Sequence, residues 1–204
     1  MRSRHCPIVG VMDDDVALRT LRTVTDAMAA TVAQADPTAA VPSCPGWDLT
    51  DLVDHLGRVH LWAEHCARTG EQPHPYPRRD RSVPLPEWYA ACADRLVSGL
   101  AALAPWHPSW SFSAEPGHQR AGFWRRRQVH ETAVHHVDAL QAAGTFPGPS
   151  ATVAVTEVPG LETPEVADGV AELLEVMVPR TLVRRRDEPA DQVIPAPAPV
   201  ALAC

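Results

Sequence analysis

The chain has 204 residues, 45% of them hydrophobic and 21% charged, the make-up of an ordinary soluble globular protein long enough to bury a sizeable core. Its formal net charge of -7 offers no global attraction to nucleic acid. No apolar run approaches the roughly 18 residues of a membrane span, so neither nucleic acid nor membrane is expected as a partner.

The opening stretch MRSRHCPIVGVMDDD is broken by Pro7 and Gly10 and ends in three aspartates. It makes a poor secretory signal, and a cytoplasmic protein with a flexible segment over residues 1–13 is expected. Val16, Leu21, Val24, Met28 and Val32 then recur every three to five positions, which predicts a first helix from about Asp14 to Ala35. The aspartates before it supply an N-cap and suit the positive end of the helix dipole. Asp36-Pro37 ends it.

The loop PTAAVPSCPGWDLT follows, marked as irregular by its prolines and Pro45-Gly46. A second helix is predicted from about Leu49 to Arg68, with Leu52, His55, Val59, Trp62 and Cys66 along one stripe and Gly70 closing it. Residues 71–84 form a polar loop with prolines. A third helix starts near Pro86, a residue tolerated in the first helical turn. It buries Trp88, Cys92, Leu96 and Leu100, and Pro105 and Pro108 stop it. A fourth helix runs from about His118 or Arg120 to Ala143, before Gly144. Residues 164–183 offer a shorter fifth helix, residues 150–158 alternate weakly, and the proline-bearing tail from residue 184 is expected to hold little order. Four amphipathic helices with no hairpin signal predict an all-α four-helix bundle over residues 14–183.

The five cysteines are widely spaced and form no CxxC. They make neither a disulfide framework nor a zinc knuckle. Cys66 and Cys92 read as small, buried, reduced apolar residues.

The fourth helix carries RRRQVHETAVHHVD over residues 125–138. The run looks like a zinc-protease HExxH box stretched by one residue, but helical pitch gives a different pairing. Glu131 and His135 are i and i+4, about 40° apart and on one face, and Asp138 lies on the same stripe. His130 and His136 point elsewhere. Glu131 is then a candidate ligand rather than a general base between two ligating histidines. A catalytic zinc needs three protein ligands and an open position, and a bundle can supply the third from a facing helix. His55, on the otherwise apolar stripe of the second helix, is the best candidate for it, and His60 is a weaker one. Residue chemistry alone leaves two other readings open: a satisfied core histidine at 55, and an ordinary i,i+4 polar pair at 131 and 135. The runs Arg125–Arg127 and Arg184–Arg186 read as a solvated face or a contact for acidic groups.

At this point the residues resemble a family. VPSCPGWDLTDLVDHLGRVHLWA is similar to the opening signature of the mycothiol-dependent maleylpyruvate isomerase family, within the DinB/YfiT-like metal-binding superfamily. FWRRRQVHETAVHHVDAL is similar to its second signature, in the right order and about 75 residues on. The resemblance covers roughly residues 14–180. It implies a DinB-like four-helix bundle holding a divalent metal, usually zinc, on His55, Glu131 and His135. It further implies mycothiol, a low-molecular-weight thiol, as cosubstrate. Cys44 falls in the family's loop entering the second helix and reads as structural. The isomerase resembled has a further C-terminal domain with an arginine essential to isomerisation. The residues after 183 are too few for that domain, so only its N-terminal domain is expected here.

Two neutral histidines and a carboxylate would leave a zinc site with net charge near +1 that stabilises a thiolate. Attack on a small electrophilic substrate then gives cis–trans isomerisation if the thiolate is expelled, or S-transfer if the adduct is kept. Arg58, one turn from His55, and Arg127, one turn before Glu131, are candidate pocket residues for a substrate carboxylate. The alternative is a non-catalytic bundle that binds metal or thiol conjugates and acts through a partner. A homodimer is left open as its assembly.

Overall fold

The computed structural model describes residues 12–147 and 160–181. Five α-helices account for most of them, and no strand is present among the described residues. Helix α1 (Asp14–Gln34) starts where the Asp13 side chain accepts from the backbone of Asp15 and Val16. Helix α2 (Leu49–Thr69) starts in a capping box, in which the Asp48 and Asp51 carboxylates each accept the other's backbone N–H. Gly70, at φ 75°, ends it in the left-handed conformation that only glycine adopts cheaply. Helix α3 (Leu85–Ala101) carries a proline in its first turn, where the missing N–H costs nothing. Helix α4 (Ala121–Ala142) follows a 3₁₀ turn at Pro116–His118. Helix α5 (Thr163–Glu172) runs on into a wider π turn at Leu173–Met177. The weakly alternating residues 150–158, the N-terminal segment before residue 12 and the tail, with Arg184–Arg186, lie outside the described residues.

Helices α1, α4, α2 and α3 follow one another round the bundle. α1 packs on α4 and α3, and α2 packs on α3 and α4. One end of the core is filled by Leu21, Val24, Leu96, Leu100 and Trp124. The other end is filled by Met28, Leu52, Leu56, Trp88 and Tyr89. Helices α2 and α3 approach so closely at Gly57 that a Cβ there would lie 2.4 Å from the Trp88 ring. Cys66 and Cys92 are free and buried, and burial pushes both thiols up to about 12. Neither is a nucleophile at neutral pH. No helix of the described residues is long and apolar enough to cross a membrane.

Helix α4 differs from its expected amphipathic form, since every residue from Ala121 to His130 is buried. The arginine run is not a solvated face. Arg125 donates to the carbonyl oxygens of Leu100 and Leu103, where α3 ends and leaves acceptors unpaired. Arg126 donates from Nε to Asp168 at 2.9 Å and from Nη1 to Glu175 at 3.1 Å. Helix α5 and its π turn therefore lie on α4 through ion pairs, and this contact covers the polar side of α4.

Burial alone would raise the Asp168 carboxyl, but its hydrogen bonds with His130 and Arg126 bring it down from 3.8 to about 2. The unfolded chain takes up this proton at the higher pH and the folded chain at the lower. The stabilisation is therefore complete above the ordinary carboxyl pKa and is lost as the pH falls through the depressed one. Thermal melts of wild type and Asp168→Asn are expected to differ most near neutral pH. Their difference should close between about pH 4 and about pH 2. A difference that stays constant through that window would show that the Asp168 charge is not what holds α5.

Candidate metal centre

The site lies where α2 faces α4. The buried stripe of α2 runs through Leu49, Leu52, Leu56, His60 and Ala63, one step round from the expected stripe. His55 consequently sits on the flank of the helix with its side chain 27% exposed. This offset leaves an imidazole at the edge of the bundle, reachable from outside, while the α4 residues opposite come from the interior.

Glu131 Oε1 stands 3.6 Å from His55 Nε2 and 3.5 Å from His135 Nε2. The two imidazole rings meet edge-on with centroids 5.3 Å apart. One ligand atom from each of His55, Glu131 and His135 lies within 4.8 Å of the others. Tetrahedral zinc with bonds near 2.1 Å separates its ligand atoms by roughly 3.4 Å, so small side-chain rotations would bring these three donors onto one cation. Two imidazoles and a carboxylate are also the mixed N/O set that divalent transition metals accept.

The surroundings fix the orientation of each donor. His135 Nδ1 donates to Asp138 Oδ2 at 2.9 Å, which leaves Nε2 as the nitrogen that could ligate a cation once it gives up its proton. Asp138 in turn accepts from Ser43 Oγ at 2.5 Å, tying the PSCPGW loop to α4. Trp47 of that loop packs against the His55 ring, with centroids 5.4 Å apart. Glu131 Oε2 accepts from Arg127 Nη2, so the carboxylate offers its other oxygen alone. Burial would raise the Glu131 carboxyl, but Arg127 and the two imidazoles hold it well below the usual carboxylate range. Burial would lower His135, but Asp138 and Glu131 raise it to about 9. In the metal-free protein this imidazole therefore keeps its proton at neutral pH, and a cation would have to displace it.

His60, His130 and His136, the other histidines near the site in sequence, have partners elsewhere. His130 Nε2 lies 2.7 Å from Asp168 on α5, and His136 Nε2 lies 3.0 Å from Thr31 Oγ1 on α1. His60 points into the core. Thr132 Oγ1 already donates to the Gln128 carbonyl, so His60 donates to it from Nε2 at 3.2 Å. Burial drives His60 down to about 3, so it stays neutral.

The two arginines expected at the pocket part company. Arg58 is one turn from His55 with its side chain 35% exposed. It pairs with Asp54 at 3.3 Å and lies over the Tyr76 ring at 5.7 Å from the centroid. Arg127 is buried, and its guanidinium is engaged by two carboxylates, Glu131 and Glu172. It stands behind the carboxylate ligand rather than lining a pocket. Residue spacing could have singled out Asp138 as a partner of His135, since i and i+3 share a face. Ser43 and Glu172 carry no such local signal, because each reaches the site from a distant segment.

The model of the mycothiol maleylpyruvate isomerase N-terminal domain family matches residues 18–140. That span is more than half of the chain. It includes all three converging donors and stops before α5. No curated protein and no solved structure matches the chain.

Proposed function

Because the chain belongs to the mycothiol maleylpyruvate isomerase N-terminal domain family, we propose that His55, Glu131 and His135 hold a divalent cation, zinc in our reading, at which mycothiol reacts with a small electrophile. The observation that carries this reading is the convergence of those three donors from two helices, inside the span the family matches. A zinc ion held by these three residues would lower the pKa of a bound thiol and so supply a nucleophile at neutral pH.

The side chains of this protein do the rest. His55 and His135 bind as neutral imidazoles, and Glu131 supplies the single negative charge. Asp138 holds His135 with Nε2 facing Glu131 Oε1, and Arg127 keeps Glu131 to one oxygen. Arg58, half-exposed beside His55, is the residue we assign to an anionic group of the electrophile, since a guanidinium suits a carboxylate. Such a thiolate would add to an electrophilic carbon–carbon double bond and break its π bond. Rotation about the remaining single bond and expulsion of the thiolate would isomerise the substrate, whereas return of the thiol's proton to the adduct carbanion would leave the thioether of S-transfer.

The experiment is turnover of maleylpyruvate and of a panel of other electrophiles by zinc-loaded protein, with and without mycothiol, and again after chelation. Turnover that needs both metal and thiol supports the reading, whereas turnover without the thiol contradicts it. The match to an N-terminal domain favours one alternative, a non-catalytic bundle that binds metal or thiol conjugates and acts through a partner. That alternative predicts loaded protein with no turnover across the whole panel.

A further inference from the structure

Asp168, Glu172 and Glu175 stand at i, i+4 and i+7 along α5 and its π turn, which puts three carboxylates on one stripe. Opposite them α4 presents Arg126, Arg127 and His130. The stripe lies beyond residues 18–140, the span the family matches. It reaches a donor of the candidate centre through one side chain. Arg127 donates from Nη1 to Glu172 Oε2 at 2.8 Å and from Nη2 to Glu131 Oε2. Glu172 is 2% exposed, and Arg127 provides the one hydrogen bond its carboxylate makes among the described residues.

This arrangement solves an electrostatic conflict. A cation on Glu131 Oε1 would share that carboxylate with the guanidinium on Oε2, and the two positive charges repel each other in a site that water screens poorly. Glu172 neutralises the guanidinium from its far side, so Glu131 need not balance Arg127 alone. Without Glu172, a buried arginine would draw on the carboxylate the cation needs.

We propose that Glu172 is a positioning residue that sets the metal affinity of the centre by neutralising Arg127, so that α5 completes the site. The proposal rests on His55, Glu131 and His135 being the ligands.

The test is the zinc affinity of the full chain, measured by competition with a chromophoric chelator, with circular dichroism of each metal-free variant. Glu172→Gln is expected to weaken zinc binding about tenfold to a hundredfold, the range typical of outer-shell partners. Asp168→Asn removes a neighbouring carboxylate from the same contact without touching Arg127, and is expected to cost less than about threefold. Wild-type affinity in Glu172→Gln overturns the proposal. Equal losses in the two variants overturn it as well, because loosening of α5 would then suffice. Arg127→Gln supplies the reference background, since it leaves no guanidinium for Glu172 to neutralise. Adding Glu172→Gln to it should change the affinity less than about threefold. If Glu172→Gln alone fails to fold, this comparison decides: a small change sustains the charge argument, and a further loss beyond about tenfold overturns it. His55→Ala separates this inference from the ligand assignment. Zinc lost there, with Glu172→Gln unaffected, removes only the role of Glu172. Zinc retained there removes the assignment itself.

Discussion

His55→Ala is expected to abolish stoichiometric zinc binding and, with it, any metal-dependent reaction of mycothiol. A three-ligand site that loses one imidazole keeps only a neighbouring pair on a single helix turn. Changes in outer-shell partners cost about 10–100-fold in affinity, and loss of a direct ligand should exceed the top of that range. The position also makes a clean control. His55 lies on the flank of α2 with its side chain partly exposed, not in the buried stripe through Leu52, Leu56 and His60. The metal-free variant should accordingly melt within about 0.5 kcal/mol of wild type, as surface substitutions usually do. Zinc affinity by chelator competition and stability by thermal melting give the two readouts. Full zinc occupancy in the variant would refute the assignment of His55, and a large fall in metal-free stability would mean that the residue serves the fold.

The largest expected loss of stability comes from Trp124→Ala. Trp124 is fully buried and is the side chain through which the start of α4 is held. Its ring meets Trp62 edge-on at 5.0 Å, Phe123 at 5.2 Å and Phe112 at 5.8 Å between centroids. Its indole N–H donates to the Trp110 carbonyl at 2.7 Å, which joins the long loop before α4 to the helix. Truncation would leave a cavity lined by aromatic rings that cannot collapse, and a carbonyl without its donor. Such changes cost about 3–5 kcal/mol, which for a chain of this size lowers the melting temperature by on the order of 10 °C. Trp124→Phe keeps much of the volume and loses the hydrogen bond, and should cost about 1–2 kcal/mol plus a smaller cavity term. Because Trp124 is about two turns from Glu131 along α4, the folded fraction of either variant should bind zinc as wild type does. A melting temperature unchanged in Trp124→Ala would mean that this cluster does not anchor α4.

Helix positions were legible in the sequence because their signals are local. Asp13 and the Asp48–Asp51 box mark where α1 and α2 start, and Gly70 and Gly144 mark where α2 and α4 give out, each within about four residues of chain. The i,i+4 relation of Glu131 to His135 is likewise local, and helical pitch alone separated that pair from His130 and His136. The partner from α2 needed more. Residue type left His55 ambiguous, and its nomination became firm only with the resemblance of the two motifs.

Other features were illegible for a physical reason. Which face of α2 is buried depends on how it meets α3, and the two helices approach closely at Gly57, where a Cβ would lie 2.4 Å from the Trp88 ring. The apolar pattern therefore pointed one step away, through His55 and Trp62. The burial of α4 could not be read from its own residues, because Arg125–Arg127 bury well only against carbonyls and carboxylates that arrive from α3 and α5. The acidic stripe of Asp168, Glu172 and Glu175 is visible in the sequence at helical spacing, but nothing local shows that it faces an arginine run about 40 residues earlier.

We propose that two imidazoles and one carboxylate from α2 and α4 bind a single cation. Zinc K-edge X-ray absorption of the loaded full chain, combined with elemental analysis, tests it most directly. One zinc per chain is expected, with nitrogen and oxygen neighbours near 2.1 Å and the scattering pattern of two imidazoles, and with loss of that signal in His135→Ala. A sulfur neighbour near 2.3 Å in protein free of added thiol, or a chain that takes up no stoichiometric metal, would contradict it.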